Sequence, residues 1–480
     1  MNREVLLVFP SRHGTPNPQI PLSLLHVAAP LRRAGYKVKI FDMRVMDYDE
    51  FSVGDPVFIG ISSMSGLQIR YGLEFAKKVK ASHPSCPVVW GGVHPTLLPE
   101  QTAANDYVDV VFRGEGESNI VKLADTLVAQ GPLDQVESIT YKHDGKIRSN
   151  PDGKLIDLDT IPVDLPYDLI PIDRYPSFQA GRFHIQTSRG CPHRCGFCYN
   201  SIFNKRKWRG KTASRVIEEI EYVTEKFPNV KCIDFIDDNF FVDRKRVEDI
   251  CNRKISEGIG ASWRANCRFD YVSNYDREFV ALLEKSGCVE LNFGAETGSD
   301  RLLRFIDKDV TTEQMVQGVK KLAAWGASIE PYVFWMSGLP TETPEDLEKT
   351  FNVMDKLSQT NIRTQHIEIC IYTPFPSPIL DLFAPEFKLP KTLEEWSCID
   401  VFHRRPPWHS KEYVDRLESI SATTRYAFYP ETRIGELGIF YGFAYKVMNR
   451  IARFRWKHKY FGLPIELRIV TATVRKLRGY

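Results

Sequence analysis

The chain has 480 residues, of which 43% are hydrophobic and 26% are charged, as in a soluble, well-packed protein with room for two or three domains. The net charge of +3 by itself neither favours nor excludes nucleic acid, which is not expected as a partner. No run approaches the roughly 20 apolar residues of a membrane-spanning helix. Most of the cysteines are scattered singly, which is typical of a reducing compartment, so we expect a cytoplasmic protein.

Residues 1–135 alternate strand and helix patterns. Buried-strand runs occur at residues 5–9, 38–41, 57–61, 88–90 and 108–112, and residues 21–34 carry a helical apolar stripe that ends before Gly35. This alternation predicts a doubly wound, Rossmann-like parallel sheet whose ligand lies at the carboxyl ends of the strands.

Two loops at those strand ends are candidate ligand-binding segments. Their candidate residues are Ser62, Ser63, Gly91, Gly92, Val93 and His94. Paired glycines remove side chains where a ligand approaches the backbone, although a tight turn explains them equally well. No Gly-x-Gly-x-x-Gly follows the first strand, which disfavours NAD as the ligand.

Residues 136–182 are expected to connect this domain to the next. Residues 138–149 predict a hairpin with a turn at Asp144-Gly145, and the proline-rich residues 161–166 predict an extended linker. The next domain is expected to begin near Phe183.

Three cysteines lie in one short loop that follows this point. Cys191, Cys195 and Cys198 have C-x3-C-x2-C spacing, and no fourth cysteine lies nearby in the sequence. Three thiolates can hold a [4Fe-4S] cluster and leave one iron open for chemistry. The alternative is a zinc site with His193 as fourth ligand, which requires a His-Cys pair inside an already tight loop.

From Phe183 onward a strand–helix unit recurs about six times. The pattern predicts a partial (βα)6 TIM-type barrel over residues 183–390, with its chemistry at the carboxyl ends of the strands. The polar and glycine residues predicted at those ends are Asp237, Asp238, Asn239, Arg268, Glu296, Thr297, Ser337 and Gly338.

These features together resemble the radical S-adenosylmethionine enzymes that carry a cobalamin-binding domain, the class B methyltransferase type. The resemblance rests on the cysteine loop, residues 293–300 and 337–343, and the Gly91-Gly92 loop with residues 109–117, and it covers most of residues 1–380. It implies a [4Fe-4S] cluster, S-adenosylmethionine and cobalamin as cofactors. The Asp-x-His-x-x-Gly motif of cobalamin mutases is absent, so no histidine is expected on cobalt, and His13, His26 and His94 are expected to be polar loop residues.

Carried over position by position, the resemblance assigns the three cysteines to the cluster and the six residues from Ser62 to His94 given above to cobalamin. It places Phe197 on the adenine, Asp237 and Asp238 at the amino group, and Glu296 at the ribose of S-adenosylmethionine. Helix capping is an equal alternative for the two aspartates. Arg268 would pair with the methionyl carboxylate because a guanidinium matches its geometry, and Ser337 is the remaining candidate contact.

The implied activity is methylation of an unactivated carbon: a 5'-deoxyadenosyl radical abstracts a substrate hydrogen, and methylcobalamin supplies the methyl group. A cyclase or another non-methylating bond-forming enzyme is the alternative with the same cofactors, and a non-catalytic cobalamin carrier or sensor is the alternative from another class. A tRNA methylthiotransferase is disfavoured because only Cys86 precedes the cysteine loop. The implied partners are a small-molecule substrate, for which a lipid is one option, and a one-electron reductant of the flavodoxin or ferredoxin type.

Residues 391–480 predict a mainly helical region. Residues 440–459 combine an apolar stripe with Arg450, Arg453, Arg455, Lys457 and Lys459. Such a helix suits an anionic membrane surface, the mouth of the barrel or an RNA, but a helix packed on the barrel with a solvated basic face is the favoured interpretation. Membrane contact would make the protein peripheral to the inner membrane surface.

Overall fold

The computed structural model describes residues 3–15, 17–50, 52–360, 362–383, 389–399, 406–428, 439–462, 464–467 and 469. Within these residues, two largely parallel sheets form two domains that share one continuous apolar core.

The first sheet begins with five parallel strands. They are β1 (Glu4–Phe9), β2 (Lys37–Asp42), β3 (Phe58–Ser62), β4 (Val88–Gly91) and β5 (Val110–Phe112). Their order is β2-β1-β3-β4-β5, and Val5 is in register with Val38 on one side and Phe58 on the other. This order confirms the predicted doubly wound sheet and places its switch point between β1 and β3, where ligands of such sheets bind.

The predicted hairpin forms, and it belongs to this sheet. Its strands are β6 (Ile139–His143) and β7 (Lys146–Ser149), joined at Asp144 (φ 50°) and Gly145 (φ 70°), as a tight hairpin turn requires. Ile139 pairs antiparallel with Phe112 of β5. The hairpin is therefore not part of a separate connecting segment, and the first sheet extends to Ser149.

Five helices accompany the first sheet. They are α1 (Leu22–Arg33), α2 (Leu67–Ser82), α3 (Val93–Leu97), α4 (Pro99–Ala103) and α5 (Ile120–Val128). The predicted stripe of α1 is buried, with Leu25, Ala28 and Leu31 fully inaccessible.

The connection to the second domain is a series of short turns. These are 3₁₀ turns at Leu158–Thr160, Tyr167–Leu169 and Ile172–Arg174, followed by α6 (Pro176–Gln179). Tyr175 is fully buried, and its hydroxyl donates to Asp42 Oδ2 at 2.7 Å. The predicted linker is thus packed against the first domain.

The second sheet is an open, six-stranded parallel barrel. Strands β8 to β15 are β8 (Arg182–Ile185), β9 (Ser188–Arg189), β10 (Arg209–Gly210), β11 (Cys232–Phe235), β12 (Ser262–Cys267), β13 (Cys288–Glu296), β14 (Glu330–Ser337) and β15 (Gln365–Ile371). The order is β8-β11-β12-β13-β14-β15, while β9 and β10 form a separate antiparallel ribbon. The predicted partial (βα)6 barrel is confirmed.

Helices follow the barrel strands. They are α7 (Asn200–Phe203), α8 (Ala213–Lys226), α9 (Arg244–Ser256), α10 (Phe269–Val272), α11 (Arg277–Lys285), α12 (Asp300–Phe305), α13 (Thr312–Ala324) and α14 (Pro344–Ser358). The N-cap predicted for α14 is present as a capping box, in which Thr343 and Asp346 each accept from the other's backbone amide.

The C-terminal helices contact both domains. They are α15 (Pro378–Phe383), α16 (Leu393–Ser397), α17 (Lys411–Ala427) and α18 (Ile439–Lys457). Trp396 of α16 is buried and donates to Gln101 Oε1 of the first domain at 2.6 Å. Trp456 of α18 is buried and donates to Asp355 Oδ1 at 2.7 Å. The favoured interpretation of α18 as a helix packed on the barrel is confirmed; residues 429–438 and 470–480 lie outside the described part.

Among the helices formed by described residues, none is both long and apolar enough to cross a bilayer.

Candidate cofactor site

Two adjacent aspartates after β11 hold the chain that leads into the cysteine loop. Asp237 is fully buried; its Oδ1 accepts from the Thr187 amide at 2.6 Å, and its Oδ2 accepts from the hydroxyls of Thr187 and Ser188 at 2.6 and 2.5 Å. Asp238 Oδ2 accepts from the Gly190 amide at 2.9 Å. Both carboxylates therefore fix the backbone between β8 and the cysteines.

This arrangement differs from both sequence expectations for Asp237. Its oxygens are already bonded to Thr187 and Ser188, and the following helix α9 is capped instead by Asp243, which accepts from the Arg246 amide at 3.0 Å. Asp237 is thus a loop-positioning residue. Asp238 lines the main cavity, and burial raises the pKa of its carboxyl.

Two side chains donate toward the cysteine thiols. Asn239 Nδ2 lies 3.8 Å from Cys191 Sγ, and Arg268 Nη1 lies 3.8 Å from Cys195 Sγ. Burial raises the pKa of Cys191, and it raises the pKa of Cys198 to about 12. Such thiols lose their protons when a metal centre supplies positive charge, so the donor set fits an iron–sulfur cluster better than free thiolates.

The zinc alternative is not supported by this loop. His193 Nε2 is hydrogen-bonded to the Tyr271 hydroxyl at 2.8 Å. Thiolates around one zinc ion lie roughly 4 Å apart, and within the described residues no three Cys, His, Asp or Glu side chains converge on one ion position.

Arg268 does not have a free guanidinium for a carboxylate. Its Nε donates to Asp270 Oδ1 at 2.8 Å, and its Nη2 donates to the Lys308 carbonyl at 2.6 Å. The remaining nitrogen faces Cys195. The contacts in this structure therefore favour a role of Arg268 at the cysteine loop over the predicted pairing with a methionyl carboxylate.

Glu296 lies at a bulge at the carboxyl end of β13. Its φ is +62°, an uncommon conformation for a residue with a side chain, and the register with β14 shifts between Gly294 and Glu296. Glu296 Oε1 accepts from Lys308 Nζ at 2.7 Å. Burial of Lys308 lowers its pKa, but the nearby Glu296 and Cys195 outweigh burial, and the net pKa is raised. Sequence reasoning missed Lys308, because no spacing rule connects it to Glu296.

Phe197 and Ser337 are the other two candidate contacts to S-adenosylmethionine, and their surroundings differ. Phe197 is partly buried against an apolar cluster that includes Ile306, Leu339 and Ile379. Ser337 is buried, and its hydroxyl donates to Glu342, which also accepts from the Gly338 amide at 3.0 Å. Ser337 is therefore held by its own loop, whereas Phe197 remains beside the cysteines.

A cavity of about 480 Å³ lies between the carboxyl ends of the two sheets. One wall carries Ser62, Ser63, Gly91, Gly92 and Val93 of the first domain. The opposite wall carries Gln186, Arg189, Tyr199, Ile236 and Asp238 of the barrel. Arg189 and Tyr199 flank the cysteine loop on its two sides, and we call them its entrance. The structure thus brings five of the six candidate cobalamin residues to the same cavity as this entrance.

Gly92 is required where the loops after β3 and β4 meet. Its φ is +95°, and a Cβ at this position would lie 2.9 Å from both the amide nitrogen and the carbonyl oxygen of Ser63. The Ser63 hydroxyl is a buried polar atom without a hydrogen-bond partner among the described residues. The absence of a side chain at Gly92 therefore lets the two loops pack together, and the unpaired buried hydroxyl of Ser63 fits a bound ligand.

The histidines are not the predicted polar loop residues, with the exception of His13, which is exposed. His94 is fully buried in α3, with its Nδ1 2.8 Å from Ser65 Oγ and its ring against Trp396, so it lies behind the cavity wall. Burial lowers the pKa of His94 to about 4. His26 is buried in α1 and lines the cavity.

A buried ionic network joins the two domains at this cavity. Arg189 Nη2 donates to Glu117 Oε1 at 2.6 Å and to His26 Nδ1 at 3.0 Å, and Arg189 Nη1 lies 3.1 Å from Glu115 Oε1. Arg209 of β10 also binds Glu115. The acidic pair was visible in the sequence, but its partners come from another domain and could not be inferred from spacing.

Comparisons with known proteins agree with this architecture. The family model of the Radical SAM superfamily matches residues 185–354, and that of the B12 binding domain matches residues 15–124. An uncharacterized methyltransferase, PH0819, from Pyrococcus horikoshii is 33% identical over 79% of this chain and 83% of its own length. The anaerobic magnesium-protoporphyrin IX monomethyl ester cyclase of Rubrivivax gelatinosus is 27% identical over 76% of this chain and 65% of its own.

A solved structure has the same fold. It is that of the cobalamin-dependent S-adenosylmethionine radical enzyme OxsB with aqua-cobalamin and S-adenosylmethionine bound, with a TM-score of 0.74 and 17% identity over 100% of this chain and 75% of that one. The predicted fold class, enzyme class and cofactors are confirmed. The chain therefore belongs to the radical S-adenosylmethionine enzymes with a cobalamin-binding domain, of the methyltransferase type, whose cofactors are a [4Fe-4S] cluster, S-adenosylmethionine and cobalamin.

Proposed function

We propose that the protein methylates an unactivated carbon of a small molecule in the cavity between its two sheets. The observation that carries this proposal is the shared cavity, where the Gly92 loop and the entrance of the cysteine loop face the same space. Transfer of a methyl group to a substrate radical requires both cofactors within reach of one substrate, and a cavity lined by the Gly92 loop and by residues that flank the cysteine loop supports this proposal.

The residues divide between the cofactors. Cys191, Cys195 and Cys198 hold the cluster, and Asn239 and Arg268 donate toward two of those thiolates. The chemistry that the bound cofactors supply is hydrogen abstraction by a 5'-deoxyadenosyl radical and methyl donation from cobalamin. The protein contributes the positions of these groups and a protected space.

Three residues remain candidates for S-adenosylmethionine. Phe197 is next to Cys198 in an apolar environment suited to a purine ring. Glu296 is held by Lys308 at the end of β13, where a carboxylate can accept from ribose hydroxyls. Asp238 lies at the cavity wall. Asp237, Arg268 and Ser337 act on the protein itself, through the contacts described above.

Cobalamin binds against the cavity wall that the first domain forms, at Ser62, Ser63, Gly91, Gly92 and Val93. His94 supports this loop from behind, because its ring is bonded to Ser65 and packed on Trp396. His26 reaches the cavity, but its Nδ1 accepts from Arg189. Both contacts support a lower cobalt face without a histidine ligand.

We further propose that the substrate is hydrophobic and that the protein contacts a membrane surface. Helix α18 and the residues after it expose Phe454 (62%), Tyr460 (59%) and Ile465 (57%). Exposed apolar side chains of this kind support contact with an apolar surface, whereas Trp456 and Arg455 of the same helix are buried in the protein.

A cyclase-type reaction is the second candidate, supported by the similarity to the Rubrivivax gelatinosus enzyme. The test is anaerobic reconstitution with iron, sulfide, cobalamin and S-adenosylmethionine, followed by incubation with lipid, tetrapyrrole and peptide extracts. The proposed function predicts 5'-deoxyadenosine together with a product heavier by one methyl group. A product without that mass gain would favour the cyclase, and absence of deoxyadenosine would contradict both.

A further inference from the structure

The segment around the cysteine loop is strongly basic. No Asp or Glu occurs between Asp173 and Glu218. The cations of this segment are Arg174, Arg182, Arg189, Arg194, Lys205, Arg206, Lys207, Arg209, Lys211 and Arg215.

Ion pairs with other segments account for several of these cations. Arg189 and Arg209 bind Glu115, and Lys211 binds Glu219. Arg215 lies 2.8 Å from Glu218. The buried part of this positive charge is therefore neutralised inside the protein.

The remaining cations are at the surface. Arg194, Arg206 and Lys207 are exposed, and no ion pair found between described residues includes any of them. Lys205 is also exposed and lies 2.9 Å from Asp152. We refer to Arg194, Lys205, Arg206 and Lys207 as the basic patch; its net charge is positive even with that pair.

The basic patch lies directly beside the cluster-binding loop. Arg194 is within the loop itself, between Cys191 and Cys195. Gly190 has a φ of +87°, and a Cβ there would lie only 2.0 Å from the Lys207 carbonyl oxygen, so the backbone of Lys207 touches the residue before Cys191.

Hydrogen bonds hold the segment that carries three of the four patch residues. Lys205 and Arg206 both have positive φ values, 50° and 57°, which costs about 1–3 kcal/mol for each residue that is not glycine. The Lys207 amide donates to the Asn204 carbonyl at 2.9 Å, and Trp208 Nε1 donates to the Asn239 carbonyl at 3.1 Å. The side-chain amide of Asn239 also faces the thiol of Cys191. Asn239 therefore contacts both the segment of the basic patch and a cysteine of the loop.

We propose that the basic patch is the docking surface for an acidic one-electron carrier protein. This inference rests on the proposed function, in which the cluster takes up one electron that the carrier loses. Opposite charges on the two surfaces would steer the carrier to the cysteine loop and shorten the path of the electron. Exposed Ile202 (42%) next to the patch offers an apolar contact of the kind found inside protein interfaces.

The test compares two electron donors on the reconstituted full chain. Reduced flavodoxin is the acidic protein donor, and photoreduced deazaflavin is a small donor that needs no docking surface. The variant is Arg206→Glu with Lys207→Glu, and the matched control is Arg277→Glu with Lys320→Glu, which makes the same charge change at exposed positions on α11 and α13. Deoxyadenosine formation is measured against flavodoxin concentration at low and high salt.

We expect the patch variant to need about tenfold more flavodoxin at low salt, with a smaller difference at high salt because the charges are screened. The rate with deazaflavin should equal that of the unchanged chain, and the control variant should match it with both donors. Arg206→Gln with Lys207→Gln should give an intermediate effect without reversing charge.

Identical flavodoxin dependence in all variants would overturn the docking surface. The proposal would also be wrong if the patch variants lost binding to anionic vesicles or RNA while flavodoxin still reduced them normally. Failure of the unchanged chain to form deoxyadenosine with deazaflavin would instead contradict the proposed function, so the two failures are distinguishable.

Discussion

Arg189 and Glu117 form a buried ion pair that connects the two domains, with 2.6 Å between Nη2 and Oε1. Arg189 precedes the cysteine loop by two positions, and Glu117 follows β5 of the cobalamin-binding domain. A change in the relative position of the domains would therefore break a buried ion pair. We expect this pair to keep the spacing between the cluster and cobalamin.

Arg189→Gln should leave Glu115 and Glu117 buried with less compensating charge. Removal of one partner of a buried pair costs about 3–5 kcal/mol, so the free energy of unfolding should fall by that order. Arg189→Lys keeps the positive charge and should lower the free energy of unfolding less. Denaturant unfolding measures both, and pulsed electron paramagnetic resonance between the reduced cluster and cob(II)alamin measures the spacing. An unchanged spin–spin interaction in Arg189→Gln would contradict a role in spacing.

Replacement of Cys191, Cys195 and Cys198 by alanine should abolish iron and sulfide binding after anaerobic reconstitution, together with deoxyadenosine formation. Each substitution removes one sulfur atom, so the protein without cofactors should still fold, with a free energy of unfolding lowered by about 1 kcal/mol for each well-buried thiol. Cys251→Ala serves as the control, because Cys251 is buried in α9 away from the loop. A full complement of cluster in the triple variant would show that these residues are not the ligands.

Gly92→Ala tests the candidate cobalamin loop. A Cβ at Gly92 meets Ser63 at 2.9 Å, whereas Gly35 has a similar φ of +82° and nothing within 4 Å of its Cβ position. Gly35→Ala should therefore cost only the backbone strain, about 1 kcal/mol. Gly92→Ala should cost more and should weaken cobalamin binding by about tenfold or more, since the loop must move. Equal cobalamin affinity in the two variants, measured by equilibrium dialysis, would exclude a close approach at Gly92.

His366 should make stability depend on pH. Its ring is buried, its Nδ1 accepts from Trp335 Nε1 at 3.0 Å, and burial lowers its pKa from 6.5 to about 4. Between these two values the unfolded chain binds the proton and the folded chain does not. Stability therefore falls as the pH falls through this window, by at most about 3 kcal/mol.

His366→Asn keeps an acceptor for Trp335 but cannot titrate. It should be less stable at neutral pH and should show a smaller loss between pH 6.5 and 4. Urea unfolding at several pH values gives the comparison; parallel curves for the two proteins would assign the pH dependence to other groups.

Substitutions in helix α18 can distinguish its packing on the barrel from contact with a membrane. Trp456 is 7% exposed and Phe454 is 62% exposed. Trp456→Ala should lower stability by about 3 kcal/mol, whereas Phe454→Ala should change it by less than about 0.5 kcal/mol. If the exposed patch contacts anionic lipid, Phe454→Ala should reduce co-sedimentation with vesicles at low salt. Equal recovery of both proteins in the supernatant would leave α18 as a packing helix only.

Local chemistry explains why most of the fold could be predicted. Alternating apolar runs and helical stripes specify strands and helices within short windows, so the order of elements in both domains follows from residues such as Val5, Leu25 and Thr343. The cysteine triad was equally readable, because its ligands lie within one loop and their spacing is a property of the chain itself.

Contacts between distant segments were decided only by the tertiary structure. Asp237 bonds to Thr187 and Ser188, Arg268 faces Cys195, and the hairpin at residues 139–149 joins the first sheet. In each case the partner lies far along the chain, and spacing in sequence carries no information about such pairs. The sequence by itself determined the cofactor class and the two-domain architecture. The tertiary structure alone decided which polar residues face the cavity and which are used to hold the protein together, because that depends on how the two sheets meet across their shared core.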